Sequence, residues 1–421
     1  MAKNMRSYNY KSAIVLRAYY SGWQKRTIIK NDNAQRYIRN KCVAVDRELY
    51  ELKKVRIYCE PVAKRIEFLE SLKENASAIA NTAPFLYEEG VDGQARSNAV
   101  YLYRKAWEQF RKIPGTGKPA FHKKGYAKRY QTNAHYGKCD TENLLFKGSA
   151  CFLDRNHVKL PVLGRVRVKG SPKRVESLLS MKSARIGTVT VFIDECGDGF
   201  VIFQLAADEP FAKPFPKTGG MLGIDVNIEN LYADSNGNIV DNPKYRSSMK
   251  DRLAREQWKL SRKITAAKRE GRDIRSSKKL QEQRVKVAKI DRLLRRRSDD
   301  YSHVCSKNIV ESQDLVFAED LKVKTLLKNH SLAFSISDVS WGKFMRDIEY
   351  KAQRSGKIFL KVDPRNTTQT CACCGYILED EQKLTLIDRE WYCPQCGEYH
   401  SRDVNSAMVI LQRGMAVCGV S

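Results

Sequence analysis

The sequence predicts a multidomain α/β protein carrying a small metal-stapled ribbon near its carboxyl end. Three observations carry that expectation. The chain has 421 residues, 42% of them hydrophobic, enough for two or more cores at about 100 to 200 residues per domain. Strand-like runs alternate with helical periodicities, and a Pro/Gly-rich stretch at 210–220 divides them. Two C-x2-C pairs, Cys371/Cys374 and Cys393/Cys396, stand 18 residues apart, the spacing of a four-thiolate zinc site.

In chain order, residues 12–20 are rich in β-branched and aromatic types and predict an opening strand. Ile38, Cys42, Val45, Leu49 and Leu52 recur at helical spacing, and the pattern resumes at Ile66 and Leu69 after Pro61 interrupts it. Ala99, Leu102, Tyr103, Ala106 and Phe110 predict a further amphipathic helix. Between 104 and 138 the character changes: Lys118, Lys123, Lys124, Lys128 and Arg129 interleave with Phe121, Tyr126, Tyr130 and Tyr136. Cations alternating with rings suit phosphate neutralisation beside base stacking, so Lys123, Lys124, Tyr126, Arg129 and Tyr130 are candidate nucleic-acid contacts. A β region spans about 151–207, in which Val189–Ile193 pairs with Phe200–Leu205 through the turn at 196–199.

Past the 210–220 linker, where the main domain boundary is expected, Met221–Asp225 predicts a buried strand ending in a carboxylate. Leu231–Val240 folds back through Asn236-Gly237. Residues 251–297 hold 18 Lys or Arg against 6 Asp or Glu, with Leu253, Leu260, Ile264 and Ala267 at helical spacing. This predicts a long basic helix or helical pair whose Arg295, Arg296 and Arg297 are candidate phosphate contacts. Leu315–Ala318 delivers Glu319 at a strand end, Trp341–Ala352 is helical, and Lys357–Asp363 returns as a strand.

In the ribbon each cysteine pair precedes a glycine, Gly375 or Gly397, and a closed four-cysteine zinc has no open position for catalysis. Cys373 competes with Cys374 for ligation, but the x2 spacing and the following glycine favour Cys374. The eight other cysteines, Cys42, Cys59, Cys139, Cys151, Cys196, Cys305, Cys373 and Cys418, show no pairing pattern, which argues against a disulfide framework. Chemistry is therefore sought in Asp225, Glu319 and Asp403. The first two are expected at strand ends, where α/β sheets assemble their sites. Three converging carboxylates repel unless a cation compensates, and hard oxygen donors suit Mg2+ or Mn2+. A metal pair in such a site supports in-line phosphodiester cleavage.

A formal net charge of +28 makes a polyanion the expected partner. The amino terminus shows no apolar leader and no run of about 18 apolar residues occurs, so a cytoplasmic, nucleoid-associated location without membrane contact is expected.

The series Gly223-Ile-Asp225-Val-Asn-Ile-Glu-Asn-Leu231, Ala318-Glu319-Asp-Leu321, Pro364-Arg-Asn-Thr-Thr-Gln-Thr-Cys371-Ala-Cys-Cys374-Gly375, Cys393-Pro-Gln-Cys396-Gly397 and Arg402-Asp403-Val-Asn405-Ser-Ala407 resembles transposon-encoded TnpB proteins and the miniature type V CRISPR nucleases. The helix from Trp341 to Lys357 resembles the same family, and the likeness is clear from about 158 to 412. It implies a β-barrel-like wedge with a helical recognition insert, followed by an RNase H-like RuvC domain interrupted by the zinc ribbon. On that plan residues 1–30 and 141–215 form the wedge, 31–140 the recognition lobe, 216–368 the RuvC domain, 369–398 the ribbon, and 399–421 the last RuvC segment and tail.

The resemblance further implies an RNA-guided DNA endonuclease working with a guide RNA, a double-stranded DNA target and, in some cases, a second copy of itself. Asp225, Glu319 and Asp403 would be its metal-binding catalytic residues, with Mg2+ or Mn2+ at that site and structural Zn2+ on the four cysteines. Protein contacts would read a short flanking motif while base pairing reads sequence. The chain departs from the family where Asn227 stands for glycine, Ser401 for an acidic residue and Ser406 for alanine; none removes a proposed ligand. The competing reading is a catalytically weak RNA-guided DNA-binding repressor or a transposon accessory protein.

Overall fold

The computed structural model describes residues 4–55, 59–138, 142–321, 340–385 and 387–420. The chain divides into two compact units, Met1–Ala212 and Lys213–Ser421, and the division falls within the Pro/Gly-rich stretch. Cys139 lies outside the described residues.

The first unit opens with β1 (Tyr10–Tyr19), whose alternating burial puts Ile14, Leu16 and Ala18 inward. Ser21 then caps α1 (Gly22–Leu52) through a reciprocal box with Gln24, satisfying two amides that the first turn leaves open. Next come α2 (Glu60–Leu72), started by Pro61 in its first turn, α3 (Ala76–Asn81) and α4 (Gly93–Lys112). These helices share one core, built around Ile38, Cys42, Val45, Leu49, Leu69 and Tyr103. The remaining strands are β2 (Lys128–Asn133), β3 (Cys151–Asp154), β4 (His157–Leu160), β5 (Gly164–Lys169), β6 (Arg185–Ile193) and β7 (Gly199–Ala207), with α5 (Pro172–Leu179) between β5 and β6. They join β1 in an antiparallel seven-stranded sheet of order β2-β6-β7-β1-β5-β4-β3. The helical set is thus an insertion between two strands of one sheet.

Three polar side chains fasten α1 to its surroundings. Gln24 Nε2 donates to the carbonyls of Leu163 and Arg165, both at 3.0 Å. Asn31 donates to Thr27 and Gly90 and accepts from the Asp92 amide. Gln35 donates to Ala95 and Gln131 and accepts from the Gln131 amide. Val166 and Val168 of β5 point inward and Arg165 and Arg167 outward, and Val162 before it occupies a turn at φ 54°.

The second unit holds β8 (Met221–Asp225), β9 (Asn230–Asp234), β10 (Ile239–Asp241), the short α6 (Tyr245–Ser248), the basic pair α7 (Lys250–Arg269) and α8 (Lys278–Ser312), then β11 (Leu315–Glu319), α9 (Trp341–Arg354) and β12 (Ile358–Val362). Their sheet has the order β10-β9-β8-β11-β12. β8, β11 and β12 run parallel, whereas β9 is reversed and pairs antiparallel with both β8 and β10. Counted within the unit this is 3-2-1-4-5, the RNase H-like order. Ile309 and Val310 of α8 and Phe344 and Ile348 of α9 cover one face beside Leu222, Ile224 and Val316. The ribbon follows β12 and carries the hairpin β13 (Glu390–Tyr392) and β14 (Tyr399–Ser401), and α10 (Arg402–Cys418) closes the unit. Among the described residues no helix is long and apolar enough to cross a membrane.

Candidate active site and zinc ribbon

In the parallel pairing of β8 with β11, Phe317 lies opposite Gly223 and Ala318 opposite Ile224. The next residues, Asp225 and Glu319, therefore end adjacent strands at one level, on the sheet face shared with Gly223 and Phe317. That face is covered by α10, and two glycines permit the approach. A Cβ at Gly223 would stand 2.0 Å from the Ala407 carbonyl oxygen, and one at Gly414 would stand 2.1 Å from the Phe317 ring. From Ala407 back to Asp403 the helix climbs about 6 Å, while from Gly223 to Asp225 the strand climbs about 6.6 Å. The register that seats Ala407 over Gly223 thus delivers Asp403 to the strand ends. β8 and β11 also flank the point where strand order reverses, the crevice where open α/β sheets bind ligands.

Asp225 is buried at 7% exposure and Asp403 at 9%. Burial first, then the charges of Glu319 and Asp403, hold the Asp225 carboxyl well above the ordinary aspartate range, with Arg402 opposing. Burial also raises Glu319, against the Thr367 hydroxyl hydrogen bond and the Arg413 charge. Asp403 sits in the first turn of α10, where the helix dipole favours an anion. Its carboxylate accepts Nε and Nη2 of Arg402, each at 3.1 Å, and Nδ2 of Asn227 at 3.0 Å. Arg389 of the ribbon stands 3.6 Å from it while pairing with Glu229 at 2.9 Å. The structure brings the three predicted carboxylates into one electrostatic cluster. They do not close to the 4.8 Å spacing that the four ribbon sulfurs show among the described residues.

Thr367, Arg402, Arg389 and Asn227 were not singled out from the sequence as site residues. Arg402 had a signal in its adjacency to Asp403, and Thr367 lies in the run before Cys371, but Arg389 reaches the site only through the ribbon's fold. Asn227, where the sequence resemblance implies glycine, supplies an amide donor that glycine lacks.

In the ribbon, Cys371 and Cys396 sulfurs lie 3.7 Å apart and Cys374 and Cys393 sulfurs 3.6 Å apart. Four thiolates at about 2.3 Å from tetrahedral zinc are separated by about 3.75 Å, so the set fits that ion. Gly375 (φ 75°) and Gly397 (φ 73°) turn each knuckle, returning their amides to the carbonyls of Cys371 and Cys393. Cys374, not Cys373, completes the group. Burial pushes the Cys371 thiol up to about 12. At Cys393 burial is outweighed by the amides of Cys396 and Gln395, which hold it near about 7. His400, its ring tilted against Trp391 with centroids 4.9 Å apart, places Nε2 3.1 Å from the Cys371 sulfur. Asn405 of α10 bonds the Thr370 carbonyl and the Ala372 amide, fastening the ribbon beside the carboxylates.

The candidate nucleic-acid contacts divide. Lys123, Lys124, Tyr126 and Arg129 are exposed, as are Arg295, Arg296 and Arg297 on α8. Tyr130 is not: at 0% exposure it packs inside the sheet core. Its place on β2 turns it inward while Arg129 faces out, so its ring is closed to base stacking. Tyr136 is likewise buried.

The fold and site define a chain with an RNase H-like sheet carrying acidic strand ends and a four-cysteine ribbon inserted before the last helix. Residues 203–330 match the family model described as OrfB_IS605, probable transposase, and residues 341–410 match the Cas12f1-like TNB domain. A Streptomyces pristinaespiralis protein described as "Putative RNA-guided DNA endonuclease" is 35% identical over 235 residues, which is 55% of this chain and 54% of that one. The Escherichia coli K12 protein InsQ, of the same description, is 27% identical over 63% of this chain and 64% of its own. The chain thus spans about half to two thirds of the length of these relatives. A solved Cas12f1, in a complex with sgRNA and target DNA, matches with TM-score 0.51 at 12% identity, covering 95% of this chain and 98% of that one. That match shows a shared fold. The resemblance to TnpB and miniature type V proteins therefore holds in sequence over residues 203–330 and 341–410, and the fold is shared with Cas12f1.

Proposed function

We propose that this chain is an RNA-guided DNA endonuclease whose catalytic residues are Asp225, Glu319 and Asp403. The observation that supports this most is the meeting of two strand-end carboxylates, Asp225 buried and Glu319 half-buried, with a third from the first turn of α10, at the strand-order reversal of an RNase H-like sheet. The donor set fits hard divalent cations, since it offers carboxylate oxygens whose mutual repulsion needs neutralising. Magnesium or manganese held there would activate water and stabilise the leaving oxygen of a phosphodiester. The chain's own part is to hold the three carboxylates. Thr367 orients Glu319, and Asn227 and Arg402 orient Asp403. Burial by the sheet face and α10 keeps Asp225 from bulk water.

On this reading the first unit supplies wedge (1–30, 141–215) and recognition lobe (31–140), and the second supplies the RuvC domain (216–368 and 399–421) and ribbon (369–398). Guide RNA and target DNA are held by exposed cations such as Lys123, Lys124 and Arg129, and base pairing carries the sequence information. The ion pairing of Asp403 with Arg402 and Arg389 favours the second reading, a catalytically weak guided binder. One experiment separates them. RNA copurifying with the protein is sequenced, and a matched DNA target with randomised flanks is offered with Mg2+ or with chelator. Mg2+-dependent cuts that vanish in Asp225→Ala, with guided binding kept, support the nuclease; binding without cuts in the unaltered protein supports the repressor.

A further inference from the structure

The helical insert of the first unit forms a half-open pocket of about 440 Å3 that the nuclease reading leaves unused. Its volume falls in the range of small-ligand sites, about 300 to 1,000 Å3. Tyr103 and Trp107 of α4 form one wall, Arg47 and Tyr50 of α1 another, and Lys118-Pro119 of the loop after α4 completes it. This wall is fastened. Asn40 of α1 exchanges two hydrogen bonds with the main chain of His122, at 3.0 and 2.7 Å, and the Arg47 guanidinium lies 4.7 Å from the Phe121 ring centre. Trp107 is held edge-on by Tyr103 at 6.4 Å and Phe110 at 5.6 Å, so its indole is set before any ligand arrives.

The charges of the lining are unbalanced in one direction. Its two acids are already engaged: Asp46 accepts the Tyr103 hydroxyl, and Glu74 is paired with Arg104 at 2.6 Å. Of its cations, Lys53 is paired with Glu70 at 2.6 Å and Arg47 lies over Phe121, but Lys73, Arg111 and Lys118 line the cavity without an ion pair to any described residue. A half-open pocket with an aromatic wall and ammonium and guanidinium groups left without acidic partners selects a planar group bearing an anion. Inorganic phosphate would leave the aromatic wall uncovered, and an apolar ligand would leave the cations uncompensated.

We infer that this cavity is a binding site for a single nucleotide, its base against Trp107 and its phosphate among Lys73, Arg111 and Lys118. The ligand is a nucleoside phosphate, either free or extruded from a strand. The inference goes beyond the cleavage reading and does not need it, because no residue of the cavity belongs to the carboxylate site.

The test uses the full chain with adenosine monophosphate, adenosine and inorganic phosphate as probes in calorimetry. A labelled twelve-residue oligodeoxyadenylate is followed by anisotropy. Adenosine monophosphate is expected to bind at one site and adenosine about tenfold more weakly, the scale of a charge-assisted phosphate interaction. Trp107→Leu should weaken the nucleotide about tenfold, the scale of one stacked base. Should that variant fold poorly by thermal melt, Arg111→Ala/Lys118→Ala, which alters exposed side chains only, should give a loss of similar size. If the oligonucleotide loses affinity in parallel and the mononucleotide competes with it, the natural ligand is a nucleotide of a strand. If only the mononucleotide is affected, it is a free nucleotide. No binding of adenosine monophosphate, equal binding of adenosine, or unchanged affinity in the double variant overturns the site. Asp225→Ala should bind the nucleotide as the unaltered chain does, so loss of cleavage and loss of this site read out separately.

Discussion

Asp225→Asn exchanges a buried carboxylate for a neutral group of nearly the same shape, and it should make the metal-free protein more stable while removing its response to magnesium. In the folded chain burial and the charges of Glu319 and Asp403 resist ionisation of Asp225. Linkage then fixes the sign. A carboxyl whose folded value is raised contributes its stability in full below the ordinary aspartate range and loses it as pH rises through the folded value. The advantage of asparagine should therefore be least near pH 4 and grow toward pH 8. Leaving a buried polar group without compensation costs about 1 to 3 kcal/mol. For a unit spanning residues 213–421, each kcal/mol moves the melting temperature by about 2 to 4 °C. Together these give a rise of about 2 to 12 °C in chelator at pH 8. Magnesium at a hundred times its dissociation constant should add about 2.7 kcal/mol to the unaltered chain and much less to the variant. Calorimetric melts across pH 4 to 8.5, with chelator or magnesium, measure both effects. A variant that melts lower in chelator at pH 8, or gains as much from magnesium as the unaltered chain, would refute the electrostatic account of this site.

Other perturbations probe separate parts of the molecule. The purified protein should contain about one zinc per chain by elemental analysis, and Cys393→Ser should release it; full zinc retention would sink the ribbon assignment. Gly223→Ala drives a Cβ to 2.0 Å from the Ala407 carbonyl, so it should cost about 1 to 3 kcal/mol or more and weaken magnesium stabilisation by shifting α10 and Asp403. An unchanged melt would show that α10 does not rest there. Lys357, 1% exposed, pairs with Asp314 at 3.1 Å. Burial raises Asp314, but the Gly219 amide, the Lys357 charge and the Thr218 amide outweigh it and hold the carboxyl at about 2. The stability this contributes is present above the ordinary aspartate range and is lost as pH falls toward that value. Lys357→Met should cost about 1 to 3 kcal/mol at pH 7 and less as the pH falls toward 2, read by denaturant midpoints. Neutralising Lys123, Lys124 and Arg129 together should flatten the salt dependence of DNA binding, by about 0.7 to 0.9 in slope for each phosphate that no longer meets a cation. Tyr130→Ala should lower the melting temperature of the first unit, because that ring fills its core.

How much of the molecule the sequence disclosed follows from the range over which each signal acts. Period and turn chemistry are local, so β8, the Asn236-Gly237 hairpin and most of α4 could be read from side-chain order alone. The second half of α1 was legible through Ile38, Cys42, Val45 and Leu49. Its first half was not, because it buries Gln24, Asn31 and Gln35, whose amides are satisfied by carbonyls distant in the chain and leave no apolar stripe. Cys374 was favoured over Cys373 by spacing, since ligand geometry imposes its own short-range rule. Tyr130 shows the opposite case: an aromatic among lysines reads as an exposed stacking ring, yet strand alternation in a sheet with a covered face turned it inward.

The carboxylates show where sequence stops and tertiary structure begins. The chain alone indicated that Asp225 and Glu319 end strands and that Asp403 follows a ribbon, because strand patterns and cysteine spacing are local. That the three form one site was decided by pairing β8 with β11 in parallel register, and by two glycines that let α10 lie on their shared face. The approach of Arg389, Asn227 and Thr367 was decided there too, since each reaches the cluster across a fold rather than along a segment. Periodicity and spacing encode which element a residue occupies; only the packing of elements fixes which charges share a small, poorly hydrated volume, and that sharing is what raises Asp225 and makes the site suited to a cation.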